Sequence, residues 1–181
     1  ETSSKSLYTC VSIALKGSDK KKAKEIKLTD CLDQFKLTER LDKNNEWYCP
    51  RCKEHVQAFK KLEIYYAPKL MILHIKRFEY EAAGRFRTYS QKMNTDIDLP
   101  VEEPLDMTNY IISKQERNQF YDIYAVSNHY GSLGGGHYTA TAKNFGEWYD
   151  FNDSSVRKTS PSGVCGSSGY LLMFKRRDTD K

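Results

Sequence analysis

Two runs of strand-forming residues, 137–143 and 147–151, stand on either side of Asn144-Phe145-Gly146. A short connection closed by glycine joins two extended segments as a tight antiparallel hairpin, since glycine supplies the positive φ such a turn needs. The rest of the chain has to be built around that pair. Short strand patterns at 121–126 and 170–174 have similar Gly- or Asn-marked connections. Residues 56–66 and 70–80, rich in β-branched and aromatic side chains, read as two more strands separated by Ala67-Pro68-Lys69. The opening Leu7-Tyr8-Thr9-Cys10-Val11-Ser12-Ile13 alternates apolar and polar, as a half-buried strand does. The stretch 82–87 reads as a turn.

One strong helix signal interrupts this pattern. Leu28, Cys31, Leu32 and Phe35 form an apolar stripe at helical spacing, Thr29 is placed to cap it, and Asp30 suits the positive N-terminal end. The helix should be short and end before Asp42-Lys43-Asn44-Asn45. The fold class expected is therefore α+β, mainly antiparallel β with one or two helices. No dinucleotide fingerprint, phosphate-binding loop or internal repeat is found.

Composition narrows the function classes. With 181 residues, 39% hydrophobic and 29% charged, the chain reads as one globular domain. No apolar run nears the roughly 20 residues that cross a bilayer, and Glu1-Thr2-Ser3-Ser4 does not begin a signal peptide, so no membrane role is expected. Much of the net charge of +5 comes from Lys16, Lys20, Lys21, Lys22, Lys24 and Lys27. Without interleaved arginines and aromatics these read as a solvated loop, and no nucleic-acid partner is expected. The tail 175–181 reads as frayed and solvated.

Five cysteines, Cys10, Cys31, Cys49, Cys52 and Cys165, give an odd count with one Cys-x-x-Cys pair. That suits a reducing compartment, cytoplasm or nucleus, better than a disulfide scaffold. Cys49 and Cys52 present two thiols from one turn, as a zinc knuckle does, although such a pair is also compatible with redox chemistry or a plain structural turn. His55 is an extra ligand at most and reads better as a solvated side chain.

The sharpest candidate for chemistry is Gly134-Gly135-Gly136-His137. Three glycines leave a backbone that another chain can approach closely, and a histidine at the mouth of the next strand is fixed by the sheet yet open on the glycine side. A glycine hairpin before a structural histidine has the same appearance. Asn152 and Asp153, fifteen and sixteen positions further on, end the partner strand of the hairpin. His137 near the start of one strand can thus face either of them. A base oriented by a second polar side chain is a catalytic triad without its nucleophile. His74 reads as a sheet histidine, and His129, in the loop before the glycines, as a second candidate.

Several segments, in order and spacing, resemble the ubiquitin-specific proteases. They are Gly135-Gly136-His137-Tyr138-Thr139-Ala140, Trp148-Tyr149-x-Phe151-Asn152-Asp153-Ser154-Ser155-Val156 and Tyr170-Leu171-Leu172-Met173-Phe174. Leu73-His74-Ile75-Lys76-Arg77-Phe78 matches the family's Leu-x-Leu-Lys-Arg-Phe strand, and Trp47-Tyr48-Cys49-Pro50-Arg51-Cys52 the second cysteine pair of its zinc-binding fingers. The likeness runs from about Leu28 to Phe174. The segment Tyr124-Ala125-Val126-Ser127-Asn128-His129-Tyr130-Gly131 points to the subgroup whose catalytic domain is split by a long insertion.

The resemblance implies the C-terminal half of a papain-like, hand-shaped catalytic domain, the alternative being a non-catalytic ubiquitin-binding fragment or pseudo-enzyme. Residues from about 26 to 66 would belong to the fingers, with half a zinc ribbon at Cys49 and Cys52, and those from about 67 to 175 to the palm. His137, Asn152 and Asp153 would be catalytic. Gly134, Gly135, Gly136, His129 and Tyr138 would line the channel for the ubiquitin tail. Partners would be ubiquitin, ubiquitinated proteins and the N-terminal half of the same domain. The family's nucleophile box, Asn-Thr-Cys-Tyr-like at a helix start, is not found in these 181 residues. Cys10 lies on a strand pattern, Cys31 on a helix face and Cys165 in a Gly/Ser loop, so this chain alone is expected to be inactive.

Overall fold

A computed structural model of the chain describes residues 8–14, 26–82, 88–113, 119–132, 134–164 and 166–178. The first third holds β1 (Tyr8–Ala14), β2 (Ile26–Lys27), α1 (Leu28–Phe35), β3 (Glu39–Arg40), β4 (Trp47–Cys49), β5 (Glu54–Val56) and β6 (Phe59–Lys60). Next come β7 (Leu70–Lys76), β8 (Phe78–Ala82), β9 (Thr88–Lys92), β10 (Ile97–Asp98) and β11 (Leu105–Asp106). Last are β12 (Phe120–Ser132), β13 (Gly135–Asn144), β14 (Glu147–Asn152), β15 (Ser155–Thr159), a 3₁₀ turn at Pro161–Gly163 and β16 (Gly169–Arg176).

Eight strands make one sheet in the order β1-β7-β16-β12-β13-β14-β15, with β11 on the start of β12. Only the β1–β7 pair within it is parallel. The hairpin expected at 144–146 is present: Asn144 pairs with Glu147, and Phe145 and Gly146 turn the chain with φ of 47° and 85°. Two positive φ values in a two-residue loop match the twist of the strands it joins.

One row of paired residues shows how the sheet is divided. Leu73, Leu172, Val126, Thr141, Asp150 and Arg157 lie side by side across β7, β16, β12, β13, β14 and β15. Leu73, Leu172 and Val126 are buried in the core, which α1 joins through Leu28, Cys31 and Leu32. From Thr141 onward the same face turns polar. The core thus sits under the β7–β16–β12 end, and the polar end is left for chemistry.

Several local expectations are corrected. Thr29 is not the helix cap: α1 starts at Leu28, and Asp30 reaches back to accept the Lys27 N–H at 3.0 Å. The 56–66 strand is broken, because the Ala58 N–H closes onto the Val56 C=O at 3.0 Å and reverses the chain. Beyond it only β6 and a bridge of Ile64 to Ile111 continue. The 70–80 strand divides at Arg77, whose buried guanidinium donates to the carbonyls of Gly169, Met93, Thr95 and Gly166. Strand β15 had no distinct signal, since Arg157 and Lys158 interrupt its alternation. Of the tail, Lys175 and Arg176 belong to β16, and Arg177 pairs with Asp122 at 2.9 Å.

Some expectations lie outside the described residues: Leu7, the lysines at 16, 20, 21, 22 and 24, the turn at 83–87, Cys165 and the last three residues of the tail. Ala82 and Thr88, which flank residues 83–87, pair with each other.

Candidate active site

The site is built on two adjacent strands whose register follows from the hairpin. Ala140 pairs with Phe151, which puts Thr139 opposite Asn152 and His137 one diagonal step away, on the same face. The diagonal brings His137 Nε2 to 2.7 Å from Asn152 Oδ1. An amide oxygen only accepts, so Nε2 carries the proton and donates, and Nδ1 is left as the lone-pair nitrogen. The side chain of His137 is half-exposed. The pair thus fixes a tautomer while leaving the basic nitrogen for another group.

Asp153 stands differently. It occupies the β14–β15 turn with φ of 50°, a conformation aspartate tolerates, and its Oδ2 lies 3.9 Å from the same Nε2. At that distance, and largely exposed, it makes no hydrogen bond to the imidazole.

The three glycines are unequal. A Cβ on Gly134 or Gly135 would meet nothing within 4 Å, whereas one on Gly136 would lie 2.4 Å from His129 Nε2 and 2.4 Å from the Tyr130 carbonyl. At Gly131, φ is +102° and a Cβ would come within 2.6 Å of the Gly135 carbonyl. Close approach across the hairpin is what demands glycine at 131 and 136. At 134 and 135 the chain is simply open.

His129 lies on the other face. Paired with Tyr138, it is buried under Gly136, with ring centroids of Tyr138, Phe78 and Tyr170 at 4.7, 5.6 and 6.1 Å. Its Nδ1 has no hydrogen-bond partner. Burial first, and then the nearby Lys92 ammonium, push its pKa below the ordinary value. His129 therefore packs as a neutral ring beneath the glycine backbone, while Tyr138 is exposed beside it. His74 belongs to the same cluster, its ring edge-on to Tyr170 at 4.6 Å.

The polar face around His137 forms a cavity of about 610 Å³, lined among others by Tyr130, Thr139, Asn152, Ser155 and Arg157. Along its floor runs a chain of hydrogen bonds. Ser168 Oγ donates to Asn128 Oδ1 at 3.2 Å, Asn128 Nδ2 to Thr141 Oγ1 at 3.1 Å, and Thr141 Oγ1 to Asp150 Oδ1 at 2.7 Å. Reading the sequence for His137 missed this chain. Its only signal was the period of two that puts Thr141 and Asp150 on the face of His137 and Asn152.

No described thiol lines that cavity. Cys31 is buried against the core, and burial, followed by the Asp30 charge, raises its pKa to about 11, so it stays a protonated, inert thiol. The side chain of Cys10 lies outside the described residues.

Cys49 and Cys52 make a tight knuckle. Lys53 turns with φ of 58° and donates its N–H to the Cys49 carbonyl at 2.7 Å, and the Cys52 N–H points at Cys49 Sγ at 3.5 Å. Backbone N–H groups of Cys52 and Arg51 lower the Cys49 pKa, and the neighbouring Cys49 raises that of Cys52. N–H groups aimed at a sulfur suit a metal-bound thiolate. His55 turns to Tyr48 instead, with ring centroids 5.4 Å apart. Among the described residues no three His, Cys, Asp or Glu side chains converge. The knuckle fits half of a tetrahedral zinc site.

Known proteins share this arrangement of segments. A family profile described as "Ubiquitin carboxyl-terminal hydrolase" matches residues 8–174. Ubiquitin carboxyl-terminal hydrolase 12 of Saccharomyces cerevisiae is 43% identical over 162 residues, covering 88% of this chain and 12% of its own length. The human ubiquitin carboxyl-terminal hydrolase 15 is 43% identical over 156 residues, 85% of this chain and 15% of its own. The chain therefore spans under a fifth of these relatives. Among solved structures, a chain of the SAGA Ubp8/Sgf11/Sus1/Sgf73 DUB module bound to ubiquitin aldehyde superposes with a TM-score of 0.69 at 30% identity, over 94% of this chain and 36% of that one.

Proposed function

The chain belongs to the ubiquitin carboxyl-terminal hydrolase family, and we propose that it supplies the histidine half of a thiol-dependent deubiquitinase. The observation that carries this reading is the 2.7 Å contact of His137 Nε2 with Asn152 Oδ1, which leaves Nδ1 free to act as a base. The cysteine is contributed by a segment outside this chain, the N-terminal half of the same domain, and the substrate is the isopeptide bond after the last glycine of ubiquitin.

In the reaction His137 Nδ1 takes the proton of the cysteine thiol. The thiolate attacks the glycine carbonyl, a C–S bond forms, and the C–N bond to the substrate lysine breaks as His137 returns the proton to the leaving amine. Water then gives a proton to His137 and attacks the thioester. The C–S bond breaks, His137 returns its proton to the cysteine thiolate, and the ubiquitin carboxyl group leaves as a carboxylate, its proton passing to solvent. Through both halves Asn152 holds the imidazole in one tautomer and angle, and the thiolate or the carboxylate of Asp153 offsets the charge of the imidazolium. The open backbone at Gly134 and Gly135, with Tyr138 beside it, forms one wall of the tail channel, and His129 supports that wall from beneath through Gly136.

Cys49 and Cys52 hold a structural zinc together with a second cysteine pair from the other half. Such a metal ties two parts of the fingers and takes no part in hydrolysis. Reduced thiols of this kind fit the cytoplasm or nucleus. The test is complementation. This chain combined with its cysteine-bearing half should cleave a ubiquitin fusion, and this chain alone should not react with a ubiquitin probe carrying a C-terminal thiol-reactive group. Stoichiometric labelling of Cys10, Cys31 or Cys165 in the isolated chain would refute the assignment of the nucleophile.

A further inference from the structure

Among the described residues, the β8–β9 hairpin meets the β12–β13 hairpin at His129. From Ala125 to Asn128 strand β12 has partners on both sides, but β16 begins at Gly169, and past Asn128 no strand among the described residues lies on that side of β12. In an antiparallel ladder the N–H and C=O of one residue face the same way, so those of His129 need other partners. Its N–H donates to the Ser168 carbonyl at 2.8 Å, and its C=O accepts from the Lys92 ammonium at the end of β9. That carbonyl is the one hydrogen-bond acceptor of Lys92 among the described residues. Lys92 is half-buried there, and burial, then the nearby Arg77 charge, lower its pKa. Phe78, its pair across the β8–β9 hairpin, sets its ring edge-on to the His129 ring at 5.6 Å. Both members of the closing pair thus grip His129, the neighbour of Tyr130, which pairs with His137.

We propose that Lys92 is a positioning residue: its ammonium stands in for the missing ladder partner of β12 and sets the glycine arm, residues 130–132 and 134–136, against His137 for docking of the substrate chain. The kinetic part rests on the reading of that arm as a channel wall, while the structural part does not. Lys92 touches neither His137 nor Asn152, so losing it should affect docking and spare the chemical step.

The test uses the complete enzyme with Lys92→Met, which keeps length and loses the donors, and Lys92→Arg, which keeps them. Should Lys92→Met fail to fold, Lys92→Gln, with one donor, takes its place. In Lys92→Met, amide exchange at 130–132 and 134–136 should accelerate, and KM for a ubiquitin fusion should rise by roughly tenfold, the scale of one charge-assisted hydrogen bond. The value of kcat should stay within about twofold, and Lys92→Arg should recover part of both changes. Unchanged exchange in the arm, or a fall in kcat at constant KM, overturns the proposal. If the unmodified enzyme does not cleave ubiquitin fusions, the family-based function fails, and exchange in the arm alone decides the role of Lys92.

Discussion

The sheet around β12 and the small ladders between residues 39 and 60 are built from similar residues and reach opposite outcomes. Strand β12 runs for 13 residues, flanked on both sides from Ala125 to Asn128, and its Tyr121 and Val126 are fully buried. The β3–β6 ladder has two residues per strand and the β4–β5 ladder three, while Phe59 is 74% exposed and Trp47 53%. Two-stranded ribbons of that length are marginal in water without packing from other elements. The difference teaches that this chain holds its His137–Asn152 pair on a broad, well-buried sheet and its Cys49–Cys52 knuckle on short, exposed ladders. Substitutions in the sheet should therefore act on rate or stability directly, and those in the ladders only once the other half is present.

The largest effect expected on the sheet side is at His137. In the complemented enzyme His137→Ala should lower kcat/KM by about 10⁴-fold, the upper end for a lost general base, with the thermal midpoint of the chain unchanged. Asn152→Ala should cost less, on the order of 10- to 100-fold, because Asp153 at 3.9 Å offers the imidazolium a partial substitute. The double variant Asn152→Ala with Asp153→Ala should then lose more than the two single losses combined. Near-normal activity in His137→Ala would remove it as the base. His129 could not simply replace it, being buried on the other face.

Zinc tests the ladder side. Two thiolates leave half the tetrahedral shell to water, so the isolated chain should lose its zinc to a mild chelator, whereas the complete enzyme should retain one equivalent through Cys49 and Cys52. Cys49→Ser should abolish that retention and leave the unfolding of the sheet as it was. Tight zinc in the isolated chain with only these two ligands would break the comparison.

A smaller effect separates the glycines. Gly136→Ala places a methyl group 2.4 Å from His129 Nε2 and from the Tyr130 carbonyl, and overpacking of that kind costs about 1–3 kcal/mol. Gly135→Ala enters open space and should leave stability within about 0.5 kcal/mol. Equal midpoints for the two variants would show that the hairpin relaxes freely.

These contrasts mark how far the sequence was legible. Where one period governs a segment, as in the hairpin at Phe145-Gly146 and the diagonal from His137 to Asn152, local spacing was enough to define pairing and face. It failed where a distant group decides. Arg77 breaks a good strand pattern because four carbonyls from other segments take its guanidinium, and no local rule reports that. The reversal at Ala58 hides inside residues of fair strand propensity. Gly134, Gly135 and Gly136 look alike in sequence and differ through the His129 ring and the Tyr130 carbonyl packed against the last of them. His129 and Lys92 are joined by a main-chain carbonyl, which side-chain patterns do not reveal.

The smallest effect is a pH dependence that should appear in one region and not the other. His129 and His74 share an aromatic cluster, and burial holds both imidazoles below their ordinary value of 6.5, with Lys92 and Lys76 adding to the shift. The folded chain thus binds fewer protons than the unfolded chain as pH falls. Their contribution is fully present above 6.5 and is lost as pH drops through that value toward the depressed folded one. The two tryptophans report the regions separately, since Trp148 is buried in the sheet and Trp47 is exposed on β4. In Trp47→Phe, the Trp148 signal should show a cooperative transition whose midpoint is level above about pH 7 and declines toward pH 5. His129→Phe should flatten part of that decline, as a phenyl ring fills the space without a site to protonate. In Trp148→Leu, emission from Trp47 should stay close to that of a solvated indole and show little of the sheet transition. A midpoint independent of pH between 5 and 7 in the first protein would mean that the cluster opens to water and protonates without loss of packing. The buried ring under Gly136 would then not be what holds the arm in place.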